Sequence, residues 1–291
     1  MPSAPIRGIH LHHEVLGTSG PWVAMITGGR RSYAEFVPLA TRIAEAGFRV
    51  LLHDRRNTGA SQIVIDSGHG EQGEEEIWTD DIAALLEHLG AAPAYFAGAS
   101  SGARTSMLTA LRHPQAVRAL MLMRITGGAT AAARLPEMYY GQFIRAAREG
   151  GMAAVCATEQ YRERIAAYPP NEAYLMALDP QHYIRVMAHW LAVFLRGPRA
   201  PVLGLTDAQM AAIRVPTLVV PGNDRTHDAK NGRAAAALIS GAELFQLPIE
   251  DLDVPLLPYT AWAPHEETLA GVFVDFMRRM ATRRSADALT R

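Results

Sequence analysis

A single cysteine, Cys156, stands in this 291-residue chain, which excludes an internal disulfide and fits a reducing compartment. No charge of one sign prevails: 28 Lys and Arg face 29 Asp and Glu, a formal net charge of -1. A basic field for nucleic acid or an anionic membrane is therefore not expected. Long uncharged apolar runs are missing too, so no membrane span is expected. The start, Met1-Pro2-Ser3-Ala4-Pro5-Ile6-Arg7, has no basic stretch leading into an apolar one, and no signal peptide is expected. Repeats and low-complexity tracts are absent. These absences describe a soluble, cytoplasmic protein with no nucleic-acid or membrane partner. What is present is 49% hydrophobic content, enough for a sizeable core in one large domain or a domain with an insertion.

The first half alternates strand-like and helix-like segments. Apolar runs at 22–26, 48–52, 94–97 and 117–123 read as buried strands, and helical spacing falls at 36–46, 80–89 and 104–112. The alternation stops after Met123. Helical stretches at 138–148, 153–166 and 182–195 follow with no convincing strand. It resumes with a strand at 216–220, a helix at 230–239, a strand at 243–247 and a last helix from about 266. The expected architecture is an α/β fold, a mostly parallel sheet flanked by helices, with core segments at 1–125 and 208–291 and an inserted helical cap at 126–207. The polar tail after Arg283 is expected to fray.

Chemistry concentrates in Gly98-Ala99-Ser100-Ser101-Gly102, a G-x-S-x-G sequence where a strand gives way to a helix. A serine lifted on a strained turn crowds the backbone two residues to either side, where a Cβ would clash. Both glycines fit Ser100 as the raised nucleophile. Ser101, flanked by small residues as well, is the rival. The plainer account is a glycine-rich connection with a capping serine.

With this elbow the chain resembles the α/β-hydrolase superfamily from Trp22 to Met280. The resemblance also rests on Gly28-Gly29 after the first strand, on the turn from Asp54 and Arg55 to Gly59 and Ser61, and on the helical insertion after Met123. It implies an oxyanion hole from the Ser101 N–H and an N–H of the Gly29 to Arg30 segment. Asp54 and Arg55 are read as a structural, internally paired turn.

The superfamily's order of serine, acid and histidine assigns the acid to Asp224, in Pro221-Gly222-Asn223-Asp224 after a strand, with Asp228 as a weaker alternative. The histidine is out of place. The loop after the last strand, where family members carry it, reads Pro248-Ile249-Glu250-Asp251-Leu252-Asp253-Val254. Of 11 histidines only His227 and His265 follow Asp224. His265, at the start of the last helix, is taken as the base, delivered by a longer loop. His227, on the acid's own loop, is an alternative base, its plainer role being a solvated loop residue. Asp251, with Glu250 and Asp253, offers a carboxylate base instead. His10, His12 and His13 fall on an N-terminal strand with alternating faces, and His182 and His189 share one face of a cap helix.

The expected activity is serine-dependent hydrolysis of a small or medium hydrophobic ester, lactone or carbon–carbon substrate through an acyl-enzyme. Met138, Tyr139, Tyr140, Phe143, Met152, Tyr161, Met187 and Trp190 would shape an apolar pocket in the cap. No metal or cofactor is implied, and a homo-oligomer is left open. Two other readings stay open: a cofactor-independent lyase or decarboxylase with a carboxylate base, and a ligand-binding fold whose catalytic residues have decayed.

Overall fold

The computed structural model describes residues 2–66 and 72–289. Eight strands follow in chain order: β1 (Ser3–Ile6), β2 (Ile9–Leu16), β3 (Trp22–Ile26), β4 (Arg49–His53), β5 (Ala94–Ala99), β6 (Val117–Met123), β7 (Thr217–Val220) and β8 (Glu243–Leu244). They form one sheet in the order β1-β2-β4-β3-β5-β6-β7-β8. β1 and β2 pair antiparallel, as do β2 and β4, and every later pairing is parallel.

Helices cover both faces, which is why the central strands read as unbroken apolar runs. Alternate residues go to opposite sides. Val23, Met25, Val50, Leu52, Tyr95 and Ala97 join one core with helices α1 (Val37–Glu45) and α11 (Glu266–Leu289), while Ala24, Ile26, Leu51, Ala94 and Phe96 join the other. That second core takes up helices α2 (Glu74–His88), α3 (Ser101–Arg112), α9 (Asp207–Ala212) and α10 (Ala229–Leu238). Helix α11 inserts Leu269, Phe273, Phe276 and Met277, each almost fully buried and worth roughly 1.5–3 kcal/mol.

Between β6 and β7 lie helices α4 (Gly128–Pro136), α5 (Gln142–Cys156), α6 (Glu159–Ala167), α7 (Pro170–Ala177) and α8 (Pro180–Arg196), with a π turn at Glu137–Gly141. They hold a core of their own, including Tyr140, Phe143, Leu175, Tyr183 and Trp190, which meets the sheet domain at Ile63, Ile65 and Ile77. The loops after β3, β5, β6 and β7, four neighbouring strands, gather at the carboxyl edge of the sheet beneath these helices. That edge is where open α/β sheets bind ligands.

The expected parallel sheet and flanking helices are present. Some boundaries differ. The last strand is two residues long where five were expected: its neighbour β7 ends at Val220, and the last bond of the pair is the Phe245 N–H to the Val219 carbonyl at 2.9 Å. Helix α2 starts at Glu74, its N-terminus closed by Glu76 Oε2 accepting from the Gly73 N–H at 2.7 Å. Helix α11 runs on to Leu289 where fraying was expected after Arg283, and residues 290–291 lie outside the described residues. His12 and His13, neighbours on β2, are both buried, and His12 contacts Asp54. No helix among the described residues is long and apolar enough to cross a membrane.

Candidate active site

β5 ends at Ala99 and α3 begins at Ser101, so Ser100 alone makes the turn. It holds φ 56° and ψ -119°, a conformation that persists in an L residue only where its surroundings impose it. They do so by close approach: a Cβ on Gly98 would lie 2.3 Å from the Gly102 carbonyl oxygen, and one on Gly102 2.0 Å from the Ile26 carbonyl oxygen. Ser100 Oγ emerges 2.9 Å from His227 Nε2 and 2.9 Å from Thr126 Oγ1. Ser101 is tied to the scaffold instead. Its hydroxyl donates to the Gly29 carbonyl at 2.8 Å and accepts from Arg55 at 3.0 Å.

The acid and the histidine come from one short loop after β7. Asp224 Oδ1 accepts from the Thr226 and His227 N–H groups, both at 2.9 Å, a turn that bends the chain back on the carboxylate. Gly222 permits this closeness, because a Cβ there would stand 2.4 Å from His227 Cβ. The imidazole of residue i+3 thus folds onto its own loop's acid, with Nδ1 at 3.0 and 2.9 Å from the two carboxylate oxygens and Nε2 facing Ser100. Only 3% of Asp224 and 2% of His227 are exposed.

Burial pushes the His227 imidazole below its ordinary value, the Asp224 hydrogen bond opposes this, and the Arg124 cation adds to it. The ring is therefore neutral near pH 7, with its proton on Nδ1 toward Asp224 and a lone pair on Nε2 toward Ser100. Burial alone would raise Asp224. The hydrogen bonds from the His227 ring and from the Leu257 and His227 N–H groups outweigh it and hold the carboxyl below the usual range. Arg124 Nη2 donates to Asp224 Oδ2 at 2.9 Å and sits 3.4 Å from His227 Nδ1. With Nδ1 protonated, that second approach is electrostatic rather than a hydrogen bond.

The loop expected to carry the histidine braces the loop that has it. The Leu252 N–H donates to the Asn223 carbonyl at 2.8 Å, the Arg225 N–H to the Val254 carbonyl at 2.9 Å, and the Leu257 N–H to Asp224 Oδ2 at 3.1 Å. The Asn223 amide donates to the Glu250 carbonyl at 3.0 Å and accepts from the Trp262 indole at 2.9 Å, while Thr226 Oγ1 donates to the Pro255 carbonyl at 2.6 Å.

Several expectations need correction. The structure brings Ser100, Asp224 and His227 together. His265, expected as the base, ends the 3-10 turn Tyr259–His265, half-exposed and away from the cavity over Ser100; the place beside Ser100 Oγ is filled by His227. Asp251 is exposed with Glu250 and Asp253 on the outer side of the bracing loop, so it faces water rather than Ser100. Asp228 caps α10, accepting from the Lys230 N–H at 2.8 Å. His182 and His189 contact the Ile65 and Gln72 carbonyls and latch α8 onto that segment.

The turn that Asp54 and Arg55 open is bonded within itself, Ser61 Oγ donating to the Asp54 carbonyl at 2.6 Å and the Thr58 N–H to the Arg55 carbonyl at 3.0 Å. Asp54 accepts from the Tyr33 and Ala60 N–H groups at 2.8 and 2.7 Å and contacts His12 Nδ1 at 3.0 Å. Arg55 reaches away and donates to the Gly29 carbonyl at 2.6 Å. Two donors, Arg55 and Ser101 Oγ, thus fix the peptide after Gly29. Thr126 and Arg124 escaped the sequence reading; their one signal was position, at the end of the strand beside β5.

Above Ser100 lies a cavity of about 480 Å³. Of the apolar residues expected to shape it, Met138 and Tyr139 line it; the others hold the helical core. Leu135, Leu256, Leu257, Pro258 and Tyr259 add to the apolar lining, and Arg30, Arg31, Arg124 and Arg164 are the surprise. Among the described residues no group of His, Cys, Asp or Glu is arranged to hold a metal ion.

A model of the alpha/beta hydrolase fold matches residues 21–247. An sn-1-specific diacylglycerol lipase of Mus musculus is 31% identical over 147 residues, half of this chain and 45% of that protein, so the match spans somewhat under half its length. A proline iminopeptidase of Lactobacillus helveticus is 22% identical across 76% of this chain and 80% of its own. Among solved structures, the enol-lactonase of Burkholderia xenovorans LB400 superimposes with a TM-score of 0.62 at 22% identity, covering 95% of this chain and all of that one. At that identity the likeness is one of fold.

Proposed function

The chain belongs to the alpha/beta hydrolase fold family, and from that premise we propose that it is a hydrolase that opens a carbonyl substrate through Ser100 and an acyl-enzyme. One observation carries the reading: the continuous contact from Asp224 through His227 to Ser100 Oγ, with both ring nitrogens engaged at 2.9 to 3.0 Å. His227 Nε2 takes the hydroxyl proton as Oγ bonds to the carbonyl carbon, and Asp224 stabilises the imidazolium that forms. The oxyanion accepts from the Ser101 N–H, which opens α3 with no acceptor in its own helix, and from an N–H of the Gly29 segment that Arg55 holds in place. Each such donor lowers the barrier by on the order of 3 kcal/mol. Collapse expels the leaving group, which takes the proton from His227. Water then enters, loses a proton to the same nitrogen and releases the acid.

The similar proteins named above are a lipase, an iminopeptidase and a lactonase, and what their substrates share is a carbonyl carbon. That range supports the bond class and no single substrate. The cavity's volume and its leucine and methionine lining support a small to medium ester or lactone. A carboxylate base finds no support at Asp251, which is exposed, and a decayed binding site finds none beside an imidazole aligned on the serine. The buried Cys156 suits a cytoplasmic setting.

A fluorophosphonate probe tests the proposal. Labelling of the parent protein and its loss in Ser100→Ala is the expected outcome. A folded parent that takes no label and cleaves no activated ester overturns it.

A further inference from the structure

Loops after β3 and β4, helix α3 and helix α6 together bring more buried positive charge to the region over Ser100 than the carboxylates in contact with it neutralise. Arg30, Arg55, Arg104 and Arg164 are each within a few per cent of full burial or line the cavity wall. Their carboxylate partners are Glu74, paired with Arg30, and Glu75, paired with Arg104. Arg55 spends its donors on Gly29 and Ser101. Arg164, on α6, is left over: it is 5% exposed, lines the cavity and makes no hydrogen bond or ion pair among the described residues. Its guanidinium carbon stands 4.9 Å from the centre of the Tyr161 ring. Arg30 also lines the cavity, clasped by the rings of Tyr139 and Tyr140 at 4.5 and 4.6 Å, and its Nη1 has no hydrogen-bond partner.

A buried guanidinium without a counter-charge costs several kcal/mol. Burial indeed pulls Arg164 below the ordinary arginine value. The carboxylates of the cavity wall do not relieve it. Glu35 lies 3.4 Å from Arg31, and Glu163 lines the cavity but is exposed to solvent and makes no ion pair with Arg164. No carboxylate touches Arg164, the nearest charge help coming from Glu74, which Arg30 already holds, so an anionic occupant would supply the counter-charge.

We infer that the cavity takes a substrate bearing a carboxylate, held by the free fork of Arg164 with Arg30 beside it, while the ester or lactone carbonyl reaches Ser100. This rests on the serine-hydrolase reading and names its substrate class. Guanidinium suits the task because its planar donors match a carboxylate in bidentate fashion. The apolar lining then receives the short chain between the two groups.

The test compares p-nitrophenyl monoesters of succinic, glutaric and adipic acids with p-nitrophenyl esters of neutral acyl groups of matching length. The parent is expected to prefer the best anionic ester by about tenfold to a hundredfold in kcat/KM, the range of a charge-assisted hydrogen bond. In Arg164→Gln that anionic-to-neutral ratio is expected to fall toward one, and Arg164→Lys to recover part of it. Binding is read separately in Ser100→Ala, whose melting temperature glutarate should raise, an effect lost when Arg164→Gln is added. Arg164→Gln should itself melt no lower than the parent without ligand, since it removes an uncompensated charge; a purely structural arginine would give the opposite.

A parent that labels at Ser100 yet shows no anionic preference, and no stabilisation by glutarate, overturns the inference and leaves the hydrolase reading standing. A protein that binds glutarate through Arg164 but never labels retains the anion site and loses the hydrolase reading.

Discussion

Replacing His227 and His265 by alanine, one at a time, separates two imidazoles that the sequence left in competition. In His227→Ala the hydroxyl of Ser100 loses the acceptor 2.9 Å away and keeps Thr126 Oγ1, a neutral group unable to take its proton at pH 7. The loop itself has reason to survive. Asp224 retains four donors, the N–H groups of Thr226, residue 227 and Leu257 and the guanidinium of Arg124, and the cost is that of truncating one buried ring, roughly 1–3 kcal/mol. The loss in kcat is expected at about 10⁴- to 10⁶-fold, or about 5–8 kcal/mol of barrier. His265→Ala, at a half-exposed turn end, is expected within about twofold of the parent, as for surface positions generally. Steady-state hydrolysis of an activated ester, read with thermal melts to confirm folding, decides the matter. If His265→Ala abolishes turnover while folded His227→Ala retains a tenth of it, the proposed base is wrong.

Further outcomes follow from the same geometry. Because the His227 pKa is lowered, kcat/KM should hold level through neutral pH and fall on the acid side as the ring protonates. Arg124→Gln removes a cation that lowers it, so the acid limb should move to higher pH; a limb that stays put or moves down refutes the electrostatic role of Arg124. His53 is pushed down to about 3, chiefly by burial, against 6.5 when unfolded. The unfolded chain then binds the extra proton, so stability is lost as pH falls from about 6.5 toward 3, by up to about 1.4 kcal/mol per unit. Urea unfolding at pH 7 and 5 should show the drop, and His53→Asn should flatten it; an equal slope in both proteins counts against the assignment. Thr126→Val removes the hydroxyl 2.9 Å from Ser100 Oγ and should lower kcat by about tenfold with little change in KM, the value of one hydrogen bond near 1.5 kcal/mol. An unchanged kcat would leave Thr126 a packing residue.

The fold could be read from the sequence because its signals are local. Apolar runs such as 22–26 and 94–97 are continuous only when a strand is covered on both faces, and here they are. The two glycines around Ser100 were legible for the same reason: each reports a backbone contact that a Cβ would destroy. Arg164 was not legible. Its meaning comes from the absence of a partner, and a sequence cannot show which of 29 acidic residues will stand beside a given arginine. The cap residues misled in the other direction, because an aromatic that packs helix on helix and one that lines a cavity share the same spacing.

The histidine was misplaced for an instructive reason. The expected position assumes that acid and base arrive from separate loops and meet through folding. Here Asp224 closes a turn on its own following N–H groups, and that turn delivers the residue three positions on. The base is placed by local geometry, while Gly222, whose missing side chain lets the turn close, was the one signal available in the sequence. A short loop carrying both groups has a weakness: any change in its path moves acid and base together relative to Ser100. The loop at 248–258 answers it. Freed of a histidine, it contributes mainly backbone groups, and these fasten residues 223–226 from outside at five points. Since an angstrom of misplacement can cost about a hundredfold in rate, the acidic loop serves the chemistry through its peptide groups, while the side chains of Glu250, Asp251 and Asp253 face the solvent.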